Sequence, residues 1–195
     1  NLSPAFESLV GASLERGAPV GAIGIQSHMH QGTWSPAKAW DVCETYARFD
    51  RPLHFTELTV LSGALKPADD TDWHTRRADW PSTPEAEAAQ ADYGVRLYTL
   101  LFSHPAVDAI TWWDFADLNA WMGAPAGMLR ADMSPKPLYE RLMALVHGAW
   151  STDVQSHTDE TGAVSCRCFY GVHTVTVAMP SGETLTAVFD ADPDG

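Results

Sequence analysis

Leu53-His54-Phe55-Thr56-Glu57-Leu58-Thr59-Val60 is an apolar, β-branched and aromatic run with one carboxylate inside it. It is too short for an independent helix and follows Pro52, so it reads as a strand buried on both faces. Residues 20–26 and 107–115 have the same character, and each also follows a Pro or Gly breaker. Strands buried on both faces imply a parallel sheet. Around them, four segments carry one helix-start signal: Ser3-Pro4, Ser35-Pro36, Thr83-Pro84 and Ser134-Pro135. The hydroxyl caps orphan N–H groups, and Pro at the first helical position gives up an N–H that had no partner. Ser82 with Glu85 adds a capping box. After Pro36 the apolar face is Ala39, Trp40, Cys43, Tyr46 and Ala47; after Pro84 it is Ala88, Ala91, Val95, Tyr98, Leu101 and Phe102.

The alternation is that of an α/β fold, either a barrel or a doubly wound sheet. A full eight-stranded barrel needs about 250 residues, so three strands before Gly148 make less than half of one. Beyond Trp150 the chain turns to Thr, Val, Ser and Gly, with alternating runs at 163–170, 172–179 and 184–189 and turns at Thr161-Gly162 and Ser181-Gly182. The expected organisation is therefore a partial barrel over 1–149 and a small antiparallel β domain over 150–195, with the acidic end, 190–195, frayed.

Composition narrows the partners. The 195 residues carry a net charge of −13, which repels phosphate backbones and anionic lipid. Neither nucleic acid nor a membrane is an expected partner. No apolar run approaches the roughly 20 residues of a membrane span. The start, Asn1-Leu2-Ser3-Pro4, has neither initiator Met nor leader and reads as a cut from something longer. Cys43, Cys166 and Cys168 cannot form a disulfide framework.

In both parallel architectures ligands sit at the carboxyl ends of the strands. There the sequence places Gln26, His28 and His30; Glu57 and Thr59; and Trp112, Trp113, Asp114 and Asp117. Amide and imidazole groups suit sugar hydroxyls, and indole suits the C–H faces of a pyranose. Glu57 needs an explanation, because a carboxylate in an apolar strand costs several kcal/mol unless paired. An ion pair with Arg51 is its plain structural alternative. For His28 that alternative is a hydrogen-bonded core histidine, and for Trp112 it is the core. His28-Met29-His30 with Glu57 also suggests a metal site, but no further nitrogen or sulfur ligand has useful spacing, and His30 is expected past the strand. No metal and no cofactor are expected. Asp69, Asp70 and Asp72 read as a solvated acidic loop, because the glycine and distal glutamate of an EF-hand are missing. In the same loop Trp73 or Trp80 can stack on a distal sugar. Lys136-Pro137 reads as helix initiation, and Phe169, Tyr170 and His173 as packing residues.

Six segments, AIGIQSH (22–28), HFTEL (54–58), FSHPAV (102–107), ITWWDFAD (110–117), Trp121 and SPKPLY (134–139), resemble in order and spacing the C-terminal half of family 10 glycoside hydrolases, the endo-β-1,4-xylanases. The resemblance covers about residues 3–150. It implies the C-terminal part of a (β/α)8 TIM barrel, with the three runs as strands six to eight, and retaining hydrolysis of xylan or a related β-1,4-linked polysaccharide. By the same resemblance Glu57 is the nucleophile and His28 orients it. Gln26, Trp113 and Trp121 bind substrate, and the protein is secreted or periplasmic.

Three departures stand out. The family's acid/base glutamate has no counterpart in this chain, so the chain is expected to be inactive without the missing N-terminal half of the barrel, and poorly soluble alone. Thr59 stands where xylanases often carry Asp, leaving His28 without an anionic partner and Glu57 with less charge support. Asp114 stands where a glycine is usual. Two competing readings are a non-catalytic carbohydrate-binding protein with a degenerate cleft and a structural fragment whose β domain docks a partner.

Overall fold

The computed structural model describes residues 4–192. The expected cap at Ser3 and the end of the chain past residue 192 lie outside the described residues. The elements run α1 (Pro4–Glu15), β1 (Ile23–Met29), α2 (Pro36–Ala47), β2 (Leu53–Val60), α3 (Pro84–Phe102), β3 (Val107–Trp112), α4 (Pro137–Ala144), β4 (Gly171–Ala178) and β5 (Thr184–Ala191). The chain divides into two compact units, the first ending at Leu142 and the second beginning at Met143.

The first unit is a parallel sheet in the order β1-β2-β3. Successive right-handed crossovers without a reversal of strand order place α2 and α3 on one face of such a sheet, as in a barrel wall rather than at the switch point of a doubly wound sheet. Ser35 accepts from the Lys38 N–H and Thr83 from the Ala86 N–H, each followed by Pro at the start of its helix. Thr83, not Ser82, caps α3; Ser82 is drawn away by Ser62 and Glu87. The fourth helix begins at Pro137 rather than Pro135, because a residue before proline is disfavoured in the α region and Lys136 occupies that place.

Ile25, Leu53, Phe55 and Leu58 are wholly buried on the helix side, and each contributes about 1.5–3 kcal/mol. The opposite face is covered only in part: β2 has no exposed position, and Thr59 on that face is wholly buried. β1 alternates between buried and exposed positions, and β3 is only partly buried. The expectation of burial on both faces is thus corrected: the helices cover one side only. The face of α3 is also rotated from the expected one. Glu87 and Gln90 are buried while Phe102 is exposed, since Glu87 takes Arg130 and Gln90 donates to the Val60 carbonyl at 2.7 Å.

One irregularity positions the site. Ile25 pairs with Phe55, but the next residue, Gln26, pairs with Glu57, so Thr56 is an extra residue on β2. The register with β3 slips over the same stretch, between Phe55 and Leu58. A bulge of this kind re-aims side chains. Leu53 and Phe55 face the helices, whereas Glu57 and Thr59 face the open side beside Gln26 and His28. Gly24 makes room for it: a Cβ there would lie 3.3 Å from the Thr56 methyl.

In the second unit β4 and β5 form one antiparallel hairpin, closed through Gly182 at φ 84°. Residues 163–170 form no strand, contrary to expectation. Asp159 holds the Thr161-Gly162 turn by accepting from the Thr161 and Ala163 N–H groups, but Val164 beyond it is exposed, with no apolar face to bury. His173 stacks on Phe189 at 5.4 Å and contacts the Phe169 carbonyl at 2.8 Å.

Candidate active site

Gln26 and His28 on β1 meet Glu57 and Thr59 on β2 because the bulge sets them opposite one another. Gln26 Nε2 donates to Glu57 Oε1 at 2.8 Å, and His28 Nε2 lies 2.9 Å from Glu57 Oε2. The carboxylate is held at both oxygens. Arg51, the structural alternative, is engaged elsewhere, with Nε donating to the Val20 carbonyl at 2.9 Å. The other His28 nitrogen, Nδ1, lies 2.9 Å from Thr59 Oγ1, and that hydroxyl donates to the Trp113 carbonyl at 2.5 Å.

Aromatic rings wall this cluster. Trp113 presents its edge to His28 at 6.5 Å and is 41% exposed, whereas Trp112 is buried, with its indole N–H on the Ala126 carbonyl. Trp121 lies 5.1 Å from His28 and stacks on Trp73 at 6.1 Å with 15° between planes. The sequence reading brought together Gln26, His28, Glu57, Trp113 and Trp121, and the structure gathers all five at one end of the sheet. The Trp113–Asp114 peptide is cis. Asp114 Oδ2 accepts the Trp121 N–H at 2.9 Å, which ties the two tryptophan-bearing segments, and burial raises its carboxyl above the usual range.

The long loop after β2 is built rather than merely solvated. Lys66, fully buried, pairs with Asp70 at 2.8 Å and lies 4.3 Å above the Trp73 ring. Asp70 also pairs with Arg77, and the Lys66 hydrogen bond leads in holding its carboxyl below the ordinary range. Asp72 is lowered further, foremost by Thr75, and accepts the His74 and Thr75 N–H groups. The acidic run is thereby spent on shaping the loop that carries Trp73. Trp80 instead donates its indole N–H to the Ala64 carbonyl at 2.7 Å.

His30, one residue past β1, is caged by Trp73, Trp80 and Trp121 and is 1% exposed. Neither of its ring nitrogens has a hydrogen-bond partner. Burial first, then His28 and Lys66, push its pKa down to about 4. Among the described residues no group of three His, Cys, Asp or Glu is placed to hold a metal ion.

Behind the site lies a group that the sequence reading did not identify. Lys136, assigned there to helix initiation, is wholly buried, and its Nζ donates to Ser62 Oγ at 2.8 Å and to Asp117 at 2.7 Å. Burial lowers its pKa against the pull of Asp117. Asp117 also accepts the Gly127 N–H at 2.8 Å, so the strand-end segment and the loop after Trp121 are pinned together.

Chemically, the arrangement is a half-open carboxylate, anchored by an amide and an imidazole, facing an indole-walled surface. A model described as "Glycosyl hydrolase family 10" matches residues 3–145. The anti-sigma-I factor RsgI6 of Acetivibrio thermocellus is 30% identical over 102 residues, 52% of this chain and 13% of that protein. Endo-1,4-beta-xylanase 1 of Arabidopsis thaliana is 29% identical over 184 residues, 92% of this chain and 16% of that protein. Among solved structures, a Thermobacillus composti GH10 xylanase aligns with a TM-score of 0.58 at 26% identity, over 71% of this chain and 46% of that one. The chain thus spans less than a fifth of these two curated relatives and under half of that solved chain.

Proposed function

Because this chain belongs to glycosyl hydrolase family 10, we propose that it contributes the nucleophile side of a retaining endo-β-1,4-xylanase, as the C-terminal barrel strands six to eight. The observation that carries the reading is Glu57, its two oxygens taken by Gln26 at 2.8 Å and His28 at 2.9 Å on an open, aromatic-walled face. Hydrogen bonds to both oxygens fix the carboxylate's plane, and Arg51 is engaged at the other end of β2.

In a retaining reaction one carboxylate oxygen attacks the anomeric carbon while a protonated second carboxyl, roughly 5–5.5 Å away, gives its proton to the leaving glycosidic oxygen. Water then cleaves the resulting ester, and the second carboxyl, now a base, takes the water's proton. Glu57 is the first of these groups. The second is supplied by the other half of the barrel, which makes that half the obligatory partner. Gln26 binds sugar hydroxyls beside the nucleophile; Trp113 forms the floor of the reacting subsite and Trp121 covers it. A polymer as large as xylan is met outside the cell, which fits a secreted or periplasmic protein.

The test is xylan hydrolysis by the protein that joins this chain to the remaining barrel strands, with and without Glu57→Ala. The expected loss is on the order of 10⁴-fold or more, typical of removing a covalent nucleophile. A 2-fluoro-xyloside should label the peptide spanning residues 53–66. Unchanged turnover in the variant, or label elsewhere, removes Glu57 from the role. Binding of xylo-oligosaccharides without turnover in the parent would favour the carbohydrate-binding alternative.

A further inference from the structure

Thr59 makes two contacts with one hydrogen. Its hydroxyl donates to the Trp113 carbonyl at 2.5 Å, and a carbonyl can only accept. His28 Nδ1 lies 2.9 Å from the same Thr59 oxygen. With the hydroxyl hydrogen committed to Trp113, the hydrogen of this second contact must come from the imidazole. Nδ1 is therefore the protonated nitrogen, and Nε2, 2.9 Å from Glu57 Oε2, would meet the carboxylate lone pair to lone pair unless one more hydrogen lies between them. His28 and Glu57 thus share a hydrogen beyond the one on Nδ1, whichever atom holds it.

We propose that Thr59 is a positioning residue that fixes the His28 tautomer, and thereby obliges His28 and Glu57 to share a hydrogen on the Oε2 side, leaving Oε1 as the attacking oxygen. The role assigned to Oε1 rests on the nucleophile reading of Glu57; the tautomer does not. Thr59 is wholly buried, so water does not compete for its hydroxyl. The Trp113 N–H bonds the Leu58 carbonyl at 2.8 Å, so the acceptor that commits the hydroxyl is itself fixed to β2. A carboxylate at 59 would accept from His28 equally well but would have no hydrogen for Trp113. The hydroxyl replaces an electrostatic partner with a directional relay, and the loss of an anion at this position is not a loss of control over His28.

The test needs no turnover. Nitrogen-15 labelled histidine in this chain, read by long-range proton–nitrogen correlation and assigned with His28→Gln, should show Nδ1 of His28 with a protonated-type shift. Thr59→Val should move that nitrogen to the lone-pair type, and Thr59→Ser should restore it. A lone-pair shift at Nδ1 in the unaltered chain overturns the proposal even if Thr59→Val fails to fold, and so does a protonated Nδ1 that persists in a folded Thr59→Val chain. In the full parent protein Thr59→Val should lower kcat roughly tenfold to a hundredfold with KM unchanged, because it loosens the nucleophile's geometry without touching sugar. A parent that turns over no xylan would refute the role of Glu57 while leaving the nitrogen shifts to decide this one.

Discussion

Acidifying the chain from pH 7 to pH 4 should weaken it on the order of 3 kcal/mol through one side chain, His30. The perturbation is a proton, and the structure gives its cost. His30 is 1% exposed, lies among three indoles and has no hydrogen-bond partner on either nitrogen. Its pKa falls from 6.5 in the unfolded chain to about 4 in the folded one, and each unit corresponds to about 1.4 kcal/mol. The sign follows from linkage. Between those values the unfolded state holds the proton and the folded state does not, so stability is full above pH 6.5, falls as pH drops through the window, and changes no further below about 4. The assay is urea unfolding of the chain and of His30→Phe at pH values from 7 to 4, followed by tryptophan fluorescence. With an m-value of about 2 kcal/mol/M, the wild-type midpoint should fall roughly 1.5 M more than that of the variant. Repacking around Phe changes the baseline but not the comparison of slopes. Parallel pH profiles in the two proteins would show that the aromatic cage does not exclude charge as described.

Two further outcomes test the scaffold behind the site. Lys136→Met removes the only cation bonded to Asp117 among the described residues and should cost about 3–5 kcal/mol in urea unfolding; a loss under 1 kcal/mol would mean that water reaches the carboxylate. Gly127→Ala places a Cβ 2.4 Å from the Ala116 carbonyl carbon and 2.5 Å from the Asp117 nitrogen, so it should lose about 1–3 kcal/mol; an unchanged thermal midpoint would show that the two segments separate freely.

Much of this architecture was legible because it rests on local chemistry. Ser35-Pro36 and Thr83-Pro84 announce helices that begin where the caps say, and the run 53–60 is a strand throughout its length. Gln26, His28, Glu57 and Trp113 stand at strand ends, where parallel sheets present side chains, whereas Trp121 was pointed to by the family resemblance alone. What escaped the sequence depends on distant partners. Glu87 and Gln90 are buried on α3 because Arg130 and the Val60 carbonyl receive them, and no helical periodicity encodes that. Lys136 looks like a helix-start residue until Asp117, nineteen positions earlier, is seen beside it. The start of α4 was readable, since Pro137 disfavours the α region at Lys136. The open face of the sheet was not, because an apolar strand reads the same whether or not its second layer is present. Thr59 was noted as a missing anion, and only the Trp113 carbonyl reveals what its hydroxyl does.

The extra residue at Thr56 has a consequence for how this protein can change. Losing that codon and losing one further along the strand have opposite fates. Losing Thr56 removes the bulge and leaves Glu57 opposite Gln26 and Thr59 opposite His28, whereas losing Leu58 shifts the count after the bulge and turns one of those two side chains into the oily layer under the helices. The strand thus stores its chemistry as a count rather than as a letter. A deletion library across β2 should therefore keep the site when residue 56 is lost and break it when residue 58 is lost.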